Sequence, residues 1–169
     1  MNRLIAEGAL ELRSNRTVIV PLMELEEFDE LTTLRCHVEG LAAAKSVRWV
    51  QQGHIDRLKE ANSLMRASGR AADINSYLTH NFEFHFGIYR LGATPFTLSI
   101  IEKLWVRGGP LIRSSFGPRG IEASAGAHGR IIEALETRDE IALQTAVVDD
   151  ITFAARTIRC SLSPQAVNR

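Results

Sequence analysis

The sequence predicts an all-α fold: an antiparallel bundle of about six helices, with a short β-hairpin at its N-terminus. Two observations lead there. From Pro21 onward, apolar residues recur at gaps of three and four, the signature of helices that bury one face. Before Pro21, two β-prone runs flank a polar turn.

The segment Asn2–Glu7 reads as the end of a helix stopped by Gly8. Leu10-Glu11-Leu12 and Val18-Ile19-Val20 are the strands of the hairpin, with Arg13-Ser14-Asn15-Arg16 as its turn. A lone hairpin is marginal in water, so it needs something to pack on. The first bundle helix is expected over Met23 to about Ser46, with Leu25, Phe28, Leu31, Leu34, Val38 and Leu41 on its apolar face. Ile55, Leu58, Ala61, Leu64 and Met65 mark the second, which ends near Gly69. The third covers about Ala72 to Leu91, with Ile74, Tyr77, Leu78, Phe82, His85, Ile88 and Tyr89 along one side and Gly92 at its end. Thr94-Pro95 looks like a helix start, because proline suits the first turn. This fourth helix passes through Ile100, Ile101, Leu104 and Trp105. Gly108-Gly109-Pro110 should kink it, since an internal proline removes a donor and crowds the preceding turn. Ser115 to Gly120 reads as a loop. A fifth helix follows over about Ile121 to Thr137, and a sixth over about Asp139 to Arg159, with Asp139 at its positive end. The tail Ser161 to Arg169 is polar, contains Pro164 and is expected to fray.

Composition narrows the function classes. A chain of 169 residues holds one domain with a real core, or a small domain plus a fragment. Its 45% hydrophobic and 24% charged content is ordinary for a soluble globular protein. A formal net charge of zero disfavours tight nucleic-acid binding by charge alone, which needs a basic surface. No apolar run has the length of a membrane span, and no signal peptide is recognisable, so a cytoplasmic location is expected. Cys36 and Cys160 lack metal or redox spacing and read as reduced structural thiols.

The residues with the most chemistry lie on the helices. Asn81 and His85 are four apart, so on a helix they share a face one turn from each other. His128 and Asp150 fall on two later helices, each with an apolar face. Side chains converging from facing helices are how bundles build metal and ligand sites. Asp149 competes with Asp150 for the inward position, although Asp150 keeps company with Val147, Ile151 and Ala154.

Three blocks resemble one family. They are Leu34-Arg35-Cys36-His37-Val38-Glu39-Gly40-Leu41-Ala42-Ala43; Asn81-Phe82-Glu83-Phe84-His85-Phe86-Gly87-Ile88-Tyr89, with Leu104-Trp105-Val106-Arg107 and Pro110-Leu111-Ile112-Arg113; and His128-Gly129-Arg130-Ile131-Ile132-Glu133-Ala134-Leu135 with Arg138-Asp139. In order and spacing they are similar to the FadR-like branch of the GntR family of bacterial transcription regulators, over its effector-binding FCD domain. The resemblance covers about Pro21 to Arg159. The segment Leu4 to Val20 resembles the end of the recognition helix and the wing hairpin of that family's winged-helix domain. Thr17 stands where the family usually has glycine at the wing tip.

The resemblance implies three parts: a partial winged helix over 1–20, an FCD-like helical bundle over 21–160, and a flexible tail over 161–169. The helices that should precede Leu4 are not in the sequence, so a truncated product or a partial gene is expected, and this chain alone is not expected to bind DNA. Operator contact is expected only in an intact form or with an intact partner, with Arg13 and Arg16 at the hairpin turn as weak candidates for phosphate contact. A homodimer is implied, since the family's operators are two-fold symmetric.

In metal-binding FCD domains the ligands are an Asp or Asn, a His one turn later, and two later residues, usually both His. The matching positions here are Asn81, His85, His128 and Asp150, with Asp150 a departure from the usual His. Two imidazoles, one carboxylate and one amide suit zinc, nickel, manganese or iron(II) without choosing among them. With one charged ligand, a divalent ion would keep about one net positive charge and attract a small carboxylate effector. Arg35 and Arg107 are candidates for a guanidinium clamp on that acid, and Phe84, Tyr89 and Trp105 for pocket walls. The expected function is therefore ligand sensing in a transcription regulator, not catalysis.

Each residue also has a plainer reading. His85 can be a hydrogen-bonded core histidine, Arg35 can pair with Glu39 four residues on, Arg107 can lie along the surface, and His37, His54 and His80 read as surface residues. Two alternatives to sensing stand beside it. One is a metal-dependent enzyme built on two His and a carboxylate, against which no partnered base or nucleophile is evident: Glu83 points away from His85, and Ser114 and Ser115 lack a base. The other is a dimerisation module with a degenerate site.

Overall fold

The computed structural model describes residues 4–5, 8–14, 16–21, 23–114 and 118–162, with the side chains of 114, 118–125 and 160–162 excluded. Six helices form the bundle: α1 (Leu25–Ser46), α2 (Gln52–Arg70), α3 (Ile74–Gly92), α4 (Pro95–Ser114), α5 (Pro118–Glu136) and α6 (Glu140–Leu162). Before them, β1 (Glu11–Leu12) and β2 (Val18–Ile19) form an antiparallel hairpin with Glu11 opposite Ile19 and Leu12 opposite Val18. The expected remnant helix at Asn2–Glu7 falls largely outside the described residues. Gly8, its expected stop, has φ of 72°, a left-handed conformation that glycine adopts without strain.

Local chemistry sets the helix ends. Gln51 and His54 form a reciprocal capping box at the start of α2, so His54 is held by a cap. Asp73 accepts from Ser76 N at 3.1 Å and from Ser76 Oγ at 2.6 Å to start α3. Thr94 Oγ1 accepts from Thr97 N, and Asp139 Oδ1 from Ile141 N and Ala142 N. The α5 helix starts at Pro118, inside the stretch expected to be loop, because proline fits the first helical position where no N–H is needed. Residues 115–117 lie outside the described set. Pro110 sits within α4, and the helix continues through it to Ser114.

The α3 helix is central. It packs against α1, α2 and α4, while α6 packs on α1 and α5. Phe84, Phe86, Ile88 and Tyr89 of α3 are fully buried, with Ile101, Ile131, Leu135, Leu143 and Val147 from the surrounding helices. The first helix keeps its expected face only in its first half, where Phe28 and Leu31 are buried. Leu34 and Leu41 are 47% and 46% exposed, whereas Glu39, Gly40, Ala42, Ala43 and Ser46 are buried. Small residues turn inward because α3 approaches α1 closely at Ala42 and Ser46, and α6 at Gly40. A Cβ on Gly92 would overlap the Ala42 carbonyl oxygen and lie 2.6 Å from Ser46 N. Phe82 and Leu64, also expected in apolar faces, are 38% and 44% exposed. Arg138 locks the far end by donating to Val47 O at 3.2 Å and Val50 O at 3.0 Å. Among the described residues no helix is long and apolar enough to cross a membrane.

Candidate metal centre

His85 from α3, His128 from α5 and Asp150 from α6 meet in the core. All three are buried, and one ligand atom from each lies within 4.8 Å of the others. His85 Nε2 is 3.3 Å from Asp150 Oδ2, and His128 Nε2 is 3.7 Å from Asp150 Oδ1. Two donors at about 2.1 Å from one tetrahedral ion stand roughly 3.4 Å apart. Each histidine stands near that spacing from a different oxygen of Asp150, and the three ligand atoms lie within 4.8 Å of one another, so the donor set can close around a shared cation. Asp150, and not its neighbour Asp149, is the aspartate turned inward: it is 6% exposed, and Asp149 is exposed. Asn81 is half-buried one turn before His85.

The electrostatics suit a cation. Burial alone would raise the Asp150 carboxyl, but His128 and His85 beside it hold it well below the usual carboxylate range. Burial pushes His128 down, against the pull of Asp150, toward the neutral form that ligates metals. Phe84 packs on His128 at 4.4 Å with the rings tilted by 34° and meets His85 edge-on at 5.3 Å, which seals one side with apolar surface.

A second cluster adjoins the first. Glu39 is fully buried and accepts from Arg35 Nε at 2.6 Å, Tyr89 Oη at 2.7 Å and Trp105 Nε1 at 2.9 Å. Tyr89 Oη is also 3.2 Å from His85 Nδ1, which joins the two clusters. Arg35 lies 4.9 Å from the Trp105 ring centroid. Burial works against the Arg35 charge, but Glu39 outweighs it and holds the guanidinium above its ordinary value. Burial and then Glu39 push the Tyr89 phenol well above its usual range, so it stays a donor.

The candidate residues therefore separate. Arg35 is beside the centre, but its partner Glu39 is a buried hub and not a surface contact. Arg107 is away from it: the exposed guanidinium pairs with Glu27 at 3.4 Å, where α1 begins. Its part of α4 instead borders a groove beneath the hairpin, lined also by Ala9, Val20, Pro110 and Leu111. Two residues separate Arg107 from Trp105, about 200° around a helix, so the two cannot face the same way. Arg13 and Arg16 are exposed at the hairpin turn, and Arg16 has φ of 64°. His37 is exposed and bonded to Thr33 O, His80 faces Glu83 at 3.3 Å, and Glu83 is exposed as expected. Cys36 is half-buried beside Thr152, and the Cys160 side chain lies outside the described set.

Comparison with known proteins gives this arrangement a family. The model of the FCD domain matches residues 30–153. The chain belongs to the FCD domain family. Over 141 residues it is 23% identical to the HTH-type transcriptional regulator McbR of Escherichia coli, covering 82% of this chain. The chain spans 64% of that curated relative's length. The solved structure of E. coli McbR/YncC superposes with a TM-score of 0.82 at 21% identity, over 89% of this chain and 77% of the other. Streptococcus agalactiae GntR superposes at 0.65 with 16% identity, over 92% and 78%. These likenesses carry the helical FCD fold.

Proposed function

We propose that this FCD domain senses a small organic acid through a divalent metal held by His85, His128 and Asp150, with Asn81 as a fourth donor. One observation carries the reading: a buried carboxylate and two buried imidazoles, from three helices, bring one ligand atom each to within 4.8 Å of the others. Asp150 brings one negative charge, so a bound divalent ion retains about one positive charge. An acid that takes the open coordination positions neutralises it. The metal supplies Lewis-acid attraction for the carboxylate. The protein's part is to exclude water with Phe84 and to keep a guanidinium nearby. Arg35 spends two of its five N–H donors on Glu39, which leaves others for a guest. Arg107 has no part in this clamp.

In the regulator as a whole, binding shifts how the helices pack and so alters operator contact. It does this only through a difference in affinity for two arrangements. Within this reading, residues 1–20 are part of a winged-helix DNA reader, 21–160 the sensor and 161–169 a tail. Two copies pair, and operator DNA is bound through the reader to which residues 1–20 belong.

Thermal denaturation tests the sensor. Dicarboxylates and sugar acids should raise the melting temperature of metal-loaded protein. The shift should vanish when metal is removed by a chelator, and in the His85→Ala, His128→Ala variant. An equal shift in that variant would show that the metal is not the anchor.

A further inference from the structure

We propose that the groove between α2 and α3 is a second ligand site, which takes a short peptide in its zwitterionic form. The site is separate from the metal centre and does not depend on a metal being bound there.

The groove has a volume of about 440 Å³, and Leu58, Ala61 and Gly87 line its apolar part. Gly87 lets the two helices meet closely, since a Cβ there would stand 3.2 Å from Leu58 Cδ2. Leu64 adds apolar surface that is 44% exposed, so a guest's side chain gains by covering it.

The charges on the rim are sorted by sign. The turn at 71–73 makes α2 and α3 antiparallel, with Leu58 level with Gly87. Arg57 and Arg90 therefore share one end of the groove, and Glu60 and Glu83 the other. Among the described residues neither guanidinium has a hydrogen bond or an ion pair. Arg90 instead lies over the Phe86 and Phe82 rings, 5.4 and 5.8 Å from their centroids, which holds it in place. Arg57 and Glu60 are three apart on one helix, a spacing at which they can pair, and they do not. Glu83 meets His80 at 3.3 Å. A guest with a carboxylate at the arginine end and an ammonium at the glutamate end would meet both sets of charges, the first in the two-toothed geometry that guanidinium offers.

Spacing sets the length of that guest. The two ends are about 4.5 Å apart along α2, from Arg57 to Glu60, and about 10.5 Å along α3, from Glu83 to Arg90. An extended dipeptide holds its amino nitrogen and carboxylate carbon about 6 Å apart, inside that span. A free amino acid holds them about 2.5 Å apart and reaches one end at a time. The groove also lies on a different face from the metal centre. Glu83 and Gly87 are each two residues from His85, about 200° around α3.

Titration of the full chain with leucyl-leucine, followed by ¹H–¹⁵N NMR with a chelator in excess, tests this. At about pH 6.5 the peptide's amine is protonated and its carboxylate is charged. The expected result is saturable binding, with the largest shifts at the amides of Ala61, Glu83 and Gly87. Arg57 is exposed, so Arg57→Glu keeps the fold; it should weaken binding by roughly tenfold or more. Amidating the peptide's carboxylate or acetylating its amine should each weaken binding, and free leucine should bind less tightly than the dipeptide. Four results would overturn the proposal: no saturable shift at millimolar peptide, unchanged affinity in Arg57→Glu, leucine binding as tightly as the dipeptide, or shifts that gather at His85, His128 and Asp150 instead.

Discussion

Replacing Gly92 with alanine should destabilise the fold and loosen the metal centre, although alanine is the better helix former. Gly92 is the last residue of α3, where that helix meets α1. An added Cβ would overlap the Ala42 carbonyl oxygen and approach Ser46 N to 2.6 Å and Lys45 C to 3.0 Å. All three are backbone atoms, so no side chain can swing aside and the helices must separate. Overpacking of this kind costs up to about 3 kcal/mol. The gain in helix propensity returns at most about 1 kcal/mol. The net loss is then roughly 2 kcal/mol, which for a chain of this size lowers the melting temperature by about 4–8 °C. Gly129→Ala is the control, because nothing lies within 4 Å of its added Cβ. It should gain about 0.5–1 kcal/mol from propensity alone. Circular dichroism melts at 222 nm read both variants. A Gly92→Ala protein as stable as the parent would refute the close approach of α1 and α3, and with it the placement of Glu39 against Tyr89.

Two further predictions concern buried and capping charges. Arg35→Met leaves the Glu39 carboxylate buried without its cation. Breaking such a pair costs about 3–5 kcal/mol, and adding Glu39→Gln should recover part of the loss, both read from urea midpoints. Asp73→Ala should lower the melting temperature most near neutral pH. The bonds from Ser76 N and Oγ hold the Asp73 carboxyl below its ordinary value. Their contribution is therefore present above the unfolded carboxyl's value of about 3.9 and is lost as pH falls through the lower folded value. The gap between variant and parent should narrow in acid, and a gap independent of pH would contradict the cap.

Much of the bundle is legible in the sequence because apolar periodicity and helix-end chemistry agree. Thr94-Pro95 and Asp139 each mark a helix start in letters alone. The pairing of Asn81 with His85 on one face follows from their spacing, and the apolar neighbours of Asp150 correctly favour it over Asp149 as the inward residue. What periodicity could not give is the inner face of α1. Counting large apolar residues picks Leu34 and Leu41. Beyond Phe28 and Leu31, the buried face holds Glu39, Gly40, Ala42 and Ala43, with α3 close at Ala42 and α6 close at Gly40. A buried glutamate reads as polar surface until its donors are known, and those come from Arg35 nearby and from Tyr89 and Trp105, 50 and 66 residues away. The Arg35–Glu39 spacing was visible, but nothing local marks it as buried. Arg107 illustrates the opposite error: it is near Trp105 in the chain, but helix geometry turns it toward the hairpin.

Elemental analysis of untagged protein, purified without added metal or chelator, tests the central claim most directly. The account predicts a stoichiometric divalent ion. Its removal should lower the melting temperature by roughly 5–10 °C if the ion was present at about 100 times its dissociation constant. A metal-free protein whose melting temperature does not respond to zinc, nickel, manganese or iron(II) would contradict it.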